Sequence, residues 1–459
     1  MLIGVLRTSV TVSDIVARLE RLPYSRWHVK ARLIIGTATF FDGMDGLTIA
    51  YVMPVILVLF KLTPAQVGLL ISTGYVGQLV GALLFGWLAE RIGRLHTIQL
   101  TIVVYSVMSF LCMFSWDFAS LFAFRTIQGL GLGGEVPLAA AYINEWGKAR
   151  GRGRYFLLYE LAFVIGLLAA AGVGAWIVPT LGWQYMFLVG AIPALLAVFL
   201  RRALPESARW LANAGRMQEA DTVVSNIEKI ISEGGKVALP VPTKAPAGLT
   251  KKTSVRELFS GIYRRRTLVV WVMWFTSYLA VNSIQTWVPT LYSTVFKLPL
   301  ALSLQYGVFS QFAGIAGGFA VAMLIDITGR KRWFVMAFTL SAIGQFALWY
   351  FGVQGSLTLL TFVSLLWFSW FFFQSITLAV YVYTPEIYPT RMRALGTSIS
   401  TAWLRAASAI GPSMVAVVLT GYGLPWISLI LAAVLLFGAI ITAVFGIETK
   451  ARVLEDLSP

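Results

Sequence analysis

Twelve times in 459 residues the sequence enters an apolar run close to 20 residues long, and that recurrence leaves few folds open to it. The runs fall at about 33–57, 67–88, 97–115, 119–141, 155–177, 184–200, 268–292, 304–325, 333–352, 357–382, 395–420 and 426–446. A helix rises about 1.5 Å per residue and a bilayer core is about 30 Å thick, so each run is read as a span. The expected fold is an all-α membrane protein of twelve transmembrane helices. With 58% hydrophobic and 12% charged residues, a soluble enzyme is excluded.

The net charge of +16 raises nucleic acid as a partner, but the basic residues punctuate the apolar runs and form no single patch. Lys61 and Lys297 fall in outer loops and Arg125 and Arg405 inside spans; every other Lys and Arg lies on one side if the N-terminus is inside. Basic residues favour the cytoplasm, so both termini are expected there, with no nucleic-acid role. One long polar segment, 201–267, carries 13 basic and 6 acidic residues and divides the spans six and six. The expected layout is a 1–32 cytoplasmic segment, a 33–200 bundle, the 201–267 linker, a 268–446 bundle and a 447–459 cytoplasmic tail. No secretory signal is recognised at the start, where Ser13 to Leu22 reads as an amphipathic helix lying on the cytoplasmic surface. The linker reads as a helix near Gln218 to Ser232 beside loose stretches at Gly234-Gly235 and Pro240 to Pro246.

The two halves repeat. LAERIGR at Leu88 to Arg94 recurs as LIDITGR at Leu324 to Arg330. Tyr142, Glu145 and the basic cluster Lys148 to Arg154 match Tyr383, Glu386, Arg391 and Arg393, and Glu206 matches Glu448. The nearly constant offset, 236 to 242 residues, implies duplicated six-helix units related by an axis along the membrane normal.

Within the first span, FFDGMDGLTIAYVMP places Asp42 and Asp45 on one helix face, with Gly43 and Gly46 open to a close neighbour. Counting from Arg32, the carboxylates lie roughly 15 and 20 Å into the core. Ionisable groups at that depth mark an ion or substrate pathway. Arg125 enters from the outside after Trp116 and Asp117 and reaches roughly 12 Å, close to the depth of Asp45. Arg405 sits roughly 16 Å from the cytoplasmic side, near mid-membrane. No nucleotide-binding loop, metal cluster or nucleophile-base pair is recognised; His28 and His96 read as interfacial and Cys112 as packing, so neither an enzyme nor a cofactor is expected. A gradient must supply the energy.

GWLAERIGR (Gly86 to Arg94) resembles the signature loop of the major facilitator superfamily. RTIQGLGLGGEVP (Arg125 to Pro137), PESARWL (Pro205 to Leu211) and ETKARVLEDL (Glu448 to Leu457) are similar to its sugar-porter side. FDGMD resembles aromatic acid/proton symporters, and YTPEIYPTRMRALG (Tyr383 to Gly396) resembles niacin-transporter-like and organic ion transporter relatives. The seventh span, with Asn282, Gln285 and TWVPTLY, departs from the Gln-Gln-rich span of sugar porters. Organic anion transporters are similar in placing an arginine where Arg405 stands.

The resemblance implies that Asp45, coupled with Asp42, binds a proton that Arg125 senses; a permanent ion pair is the structural alternative. A guanidinium favours the charged carboxylate and desolvation the neutral one, so a moving arginine switches proton affinity. Arg405 is expected to bind a substrate carboxylate, with Gln78, Tyr159, Tyr278, Asn282, Gln285 and Gln374 lining the cavity and Trp370, beside Trp367 and Phe371 to Phe373, stacking on a ring. Glu135 and Glu160 read as a gate or loop anchor. Glu90, Arg91, Arg94, Glu145, Glu206, Asp326, Arg330, Glu386 and Glu448 are expected to form charge networks holding the halves together in the outward-open form. The expected function is proton-coupled import of a small organic anion, an aromatic or heteroaromatic monocarboxylate, by a lipid-embedded monomer in a bacterial inner membrane. The alternatives are an organic cation, sugar or drug as substrate, or a receptor that does not transport.

Overall fold

The computed structural model describes residues 10–148, 152–233, 235, 238–242 and 255–450. Gly234, most of the Pro240 to Pro246 stretch, part of the Lys148 to Arg154 cluster and the tail beyond Lys450 lie outside the described residues. The chain forms helices α1 (Val12–Arg21), α2 (Arg26–Leu59), α3 (Pro64–Ile92), α4 (Arg94–Cys112), α5 (Phe118–Trp146) and α6 (Arg152–Thr180). Helices α7 (Gln184–Ala191), α8 (Pro193–Ala203), α9 (Ala208–Asn213) and α10 (Met217–Ile231) complete the first half. The second half holds α11 (Gly261–Gln285), α12 (Val288–Thr294), α13 (Leu300–Thr328), α14 (Arg330–Val353), α15 (Leu359–Glu386), α16 (Thr390–Gly421) and α17 (Leu424–Phe445). No strand occurs among the described residues.

Ten of these helices are long and apolar enough to cross a membrane. The remaining two expected spans differ for identifiable reasons. Helix α5 is 29 residues long but carries Arg125 and Glu135, which lower its hydropathy. The sixth span is two helices, broken where Pro193 begins α8. The expected seventh span is also interrupted: Pro289 has no N–H for the Gln285 carbonyl four residues back, and α11 ends at Gln285.

Helices α2 to α8 and α11 to α17 make two bundles that repeat each other at the loops before α4 and α14 and at the seats around them. The Tyr142 hydroxyl donates to the Pro205 carbonyl at 2.7 Å, as Tyr383 does to Ile447 at 2.9 Å. The Glu206 carboxylate accepts from the N–H groups of Arg94 and Leu95, and Glu448 accepts from those of Arg330 and Lys331. Gly93 (φ 109°) and Gly329 (φ 92°) form the bend before α4 and α14. A Cβ there would stand 2.4 Å from Glu206 Oε2 and 2.6 Å from Glu448 Oε2, so both backbone conformation and carboxylate seat demand glycine. Within the first bundle α2 and α6 cross at Gly43 and Gly166, where a Cβ would meet the Phe163 and Phe40 carbonyls at 2.4 and 2.0 Å. Gly46, also expected to admit a neighbour, faces open space.

Helix α1 begins at a capping box formed by Thr11 and Asp14. Its apolar side, Ile15 and Leu19, packs with Ala220, Val224 and Ile227 of α10. Arg18 pairs with Asp221 and, at 2.6 Å, with Glu228, Arg21 reaches Glu228 at 2.6 Å, and Arg209 reaches Glu20 at 2.7 Å. The amphipathic helix therefore docks on the linker helices, where the sequence suggested a membrane surface, because a second amphipathic face is available within the chain. The end of the bundle that carries α1, α9 and α10 is called here the linker end.

Candidate functional site

Asp45 is 1% and Arg125 4% exposed, and they meet as their matched depths require. Arg125 Nη1 donates to Asp45 Oδ2 at 3.1 Å and to Gln128 Oε1 at 2.8 Å, while Gln128 Nε2 donates to Asp45 Oδ1 at 2.7 Å. Only this orientation of the amide satisfies both neighbours, so Gln128 closes a three-membered ring. Its sequence signal was weak: an amide one turn beyond Arg125 in a glycine-rich span. Cys112 Sγ lies 3.8 Å from Gln128 Oε1 behind it.

Asp42 is 7% exposed and lies within electrostatic reach of Asp45, Glu160 and Arg405. Arg405 crosses from α16 into the other bundle, where its guanidinium donates to Gln78 Oε1 at 3.2 Å and to the Gly133 carbonyl at 3.4 Å. The second acceptor has a local cause. Pro137 lacks the N–H that would bond the carbonyl four residues earlier, and that carbonyl belongs to Gly133. Both acceptors are neutral, and among the described residues the carboxylate nearest in effect to Arg405 is that of Asp42.

The side-chain hydrogen bonds between the bundles run along one face of α3. Ser72 bonds Ser413 at 2.8 Å, Tyr75 donates to Asn282 Oδ1 at 3.3 Å, and Gln78 meets Arg405. Asn282 in turn donates to Ser408 at 2.8 Å. The hydrogen bonds of Ser72, Tyr75 and Gln78 across the bundles run from Arg405 toward the end away from the linker.

The other expected lining residues divide into two groups. Gln285 and Trp370 border a small cavity with Tyr51, Gly307, Ser310 and Gln311. Gln285 Nε2, Trp370 Nε1 and the Tyr51 hydroxyl are buried there without partners, three donors facing one space. Tyr278 instead stacks on Trp274, with centroids 5.5 Å apart, and Gln374 accepts from Thr377 at 3.1 Å. Tyr159 is 1% exposed and bonds Thr39 at 2.6 Å; Thr39 also donates to Glu135 Oε1 at 3.2 Å. Trp367 donates to Ser310 at 3.1 Å.

The charged loops make two sets of contacts, each within one bundle. Arg94 pairs with Glu90 at 2.8 Å and Glu145 at 3.2 Å beside the Glu206 seat; Arg330 pairs with Asp326 and, at 3.0 Å, with Glu386 beside the Glu448 seat. Each of these pairs lies within one bundle here, with Glu206 and Glu448 seated on the N–H groups at the start of α4 and α14; the bridges expected between the halves belong to the outward-open form. Arg91 lies 4.0 Å over the ring of Trp87, outside these networks. Glu135 is fully buried inside the bundle, away from any loop it would anchor.

Comparison with known proteins agrees with this architecture. The profile of the family described as "Sugar (and other) transporter" matches residues 36–459. The "Niacin transporter NiaP" of Acinetobacter baylyi is 31% identical over 455 residues, 97% of this chain and 99% of that protein. The "Inner membrane metabolite transport protein YgcS" of Escherichia coli is 28% identical over 438 residues, 95% and 94% of the two chains. The E. coli xylose transporter XylE, in a partially occluded inward-open conformation, superimposes with a TM-score of 0.74 at 19% identity, covering 94% of this chain and 100% of that one. The chain is a multi-pass membrane protein belonging to the sugar (and other) transporter family of the major facilitator superfamily.

Proposed function

We propose that this transporter imports a small organic anion together with a proton, and that the anion is a monocarboxylate on an aromatic or heteroaromatic ring. The observation that carries this reading is Arg405, a guanidinium at the bundle interface whose hydrogen-bond acceptors, Gln78 and Gly133, are both neutral. A planar guanidinium takes a carboxylate through two parallel bonds, which neutral oxygens replace poorly. Asp42 competes for the same charge. Once Asp42 is protonated, Arg405 needs another anion, so proton and substrate bind together.

Asp45 shares that single proton with Asp42. When its carboxylate is charged, Arg125 and Gln128 hold it in the ring described above; protonation weakens that grip and frees α2 and α5 to shift. Trp370 and the partner-free donors of Tyr51 and Gln285 border a cavity with room for about one water, so a ring reaches them only once the helices around it part. The name of the A. baylyi relative, which is that of a niacin transporter, supports a heteroaromatic acid. The linker end is cytoplasmic in this reading, the conformation is inward-facing, and the chain acts as a monomer in the bacterial inner membrane.

Thermal stabilisation of the purified protein tests the substrate class, since a ligand that binds the folded state raises Tm. Benzoate and nicotinate are expected to stabilise the wild type and to lose that effect in Arg405→Ala. Stabilisation by a sugar, nicotinamide or an organic cation, indifferent to Arg405, would overturn the anion assignment.

A further inference from the structure

Glu135 has no part in the coupling just described, yet it is 0% exposed and one of its oxygens, Oε2, has no hydrogen-bond partner. Its other oxygen has one donor, the Thr39 hydroxyl at 3.2 Å. A carboxylate charge in that setting needs a cation or several donors. The surroundings supply neither. Helix α2 contributes Asp42 and Thr39, α4 contributes Tyr105, and α6 contributes Glu160 and Tyr159. Helix α3 contributes the apolar Phe85 beside Gly134, and Arg405 of α16 faces Asp42 and Tyr381. Every titratable neighbour on α2, α4 and α6 is an acid or a phenol.

We propose that Glu135 is a second proton-binding site, so that two protons travel with each monocarboxylate. Three acids, Asp42, Glu135 and Glu160, share one low-dielectric region, and like charges there cannot all be ionised together. A proton on Glu135 relieves both the buried charge and its repulsion of Asp42. The site also has an exit. Thr39 lies one helical turn from Asp42 toward the linker end, and its hydroxyl joins Glu135 Oε1 to the Tyr159 hydroxyl, 2.6 Å away. Releasing the Glu135 proton as the gap between the bundles opens returns the carboxylate to a hydrated state.

The inference rests on the symport reading and changes its charge balance. One proton with one monoanion moves no net charge; two protons with one monoanion carry one positive charge inward. Purified protein in proteoliposomes is given a potassium diffusion potential of about 100 mV, inside negative, at equal pH, and nicotinate accumulation is measured. Two-proton transport sustains a concentration ratio of up to about 50, the ratio that one elementary charge supports at that voltage. Glu135→Gln is expected to abolish the response to potential and keep the response to a pH gradient.

A wild type that follows a pH gradient but ignores potential overturns the second proton and leaves symport standing. A wild type that ignores both overturns both readings. Potential-driven uptake that persists in Glu135→Gln overturns the assignment to Glu135, and uptake that stops when choline replaces sodium overturns the proton as the ligand. Should Glu135→Gln fail to insert, Thr39→Val keeps the carboxyl and removes its only donor; it is expected to slow the potential-driven component selectively, and an unchanged component overturns the proposal.

Discussion

At the scale of the residue, the site is a set of charges placed where charge is costly, and Asp45 and Arg125 are each other's companion. Asp45 is held by Arg125 and Gln128 on separate oxygens. Removing one partner of a buried ion pair typically costs about 3–5 kcal/mol, because the other charge is stranded. Arg125→Ala should therefore lower Tm clearly, whereas Gln128→Leu, which strands one oxygen, should cost about 1–3 kcal/mol in thermal unfolding. Asp45→Asn keeps acceptor and shape but binds no proton; exchange of labelled substrate should survive it while pH-driven uptake is lost. The Asp45–Arg125 pair was legible in sequence because helical rise matches their depths and the resembled transporters pair an aspartate of the first span with this arginine. Gln128 was not, since a lone amide in an apolar helix has many uses, and neither was the Gly133 carbonyl, which becomes an acceptor only through Pro137 four residues later. Glu135 was legible as an acid but not as a buried one, because its burial depends on how α2 and α6 pack over α5.

At the scale of the element, the boundaries that matter are set by glycine and proline. Gly93 and Gly329 turn the chain into α4 and α14 at positive φ while leaving room for Glu206 and Glu448. Alanine at either position should cost about 1–3 kcal/mol in thermal unfolding, from backbone strain and from displacement of the carboxylate. The broken sixth and seventh spans show where run length misleads: hydropathy continues through Pro193 and Pro289, but the helix does not. Helix α1 makes a separate point about charge. Burial pushes the Glu228 carboxyl up, but hydrogen bonds and charge from Arg18 and Arg21 outweigh it and hold the group below the usual carboxylate range. Docking of α1 is thus at full strength above that range and is lost as pH falls through the lowered value. Partly exposed pairs are worth about 0–1 kcal/mol each, so Glu228→Gln should loosen α1 without unfolding the bundle. Faster amide hydrogen exchange over 15–21 at neutral pH, with α2 unchanged, is the expected result.

At the scale of the whole molecule, two copies of one bundle meet along α3 and α16, α6 and α13, and α2 and α12, and Arg405 reaches across the first of these contacts. The hydrogen bonds of Ser72, Tyr75 and Gln78 close the end away from the linker, while the loop networks stay within their own bundles. Alternating access then requires the α3–α16 seam to part and new contacts to form at the linker end. Duplication was legible from recurring markers at a near-constant offset; the state of the gap was not, because both states use the same sequence. Ser72 and Ser413 are close enough to be cross-linked as Ser72→Cys and Ser413→Cys, which should arrest transport reversibly under oxidation. The most direct test of anion–proton symport is uptake of labelled nicotinate into proteoliposomes under an inward proton gradient, for the wild type and Arg405→Ala. Symport predicts accumulation in the wild type that a protonophore abolishes and that Arg405→Ala loses. Equal uptake by both proteins, or wild-type uptake that does not respond to the gradient, would contradict it.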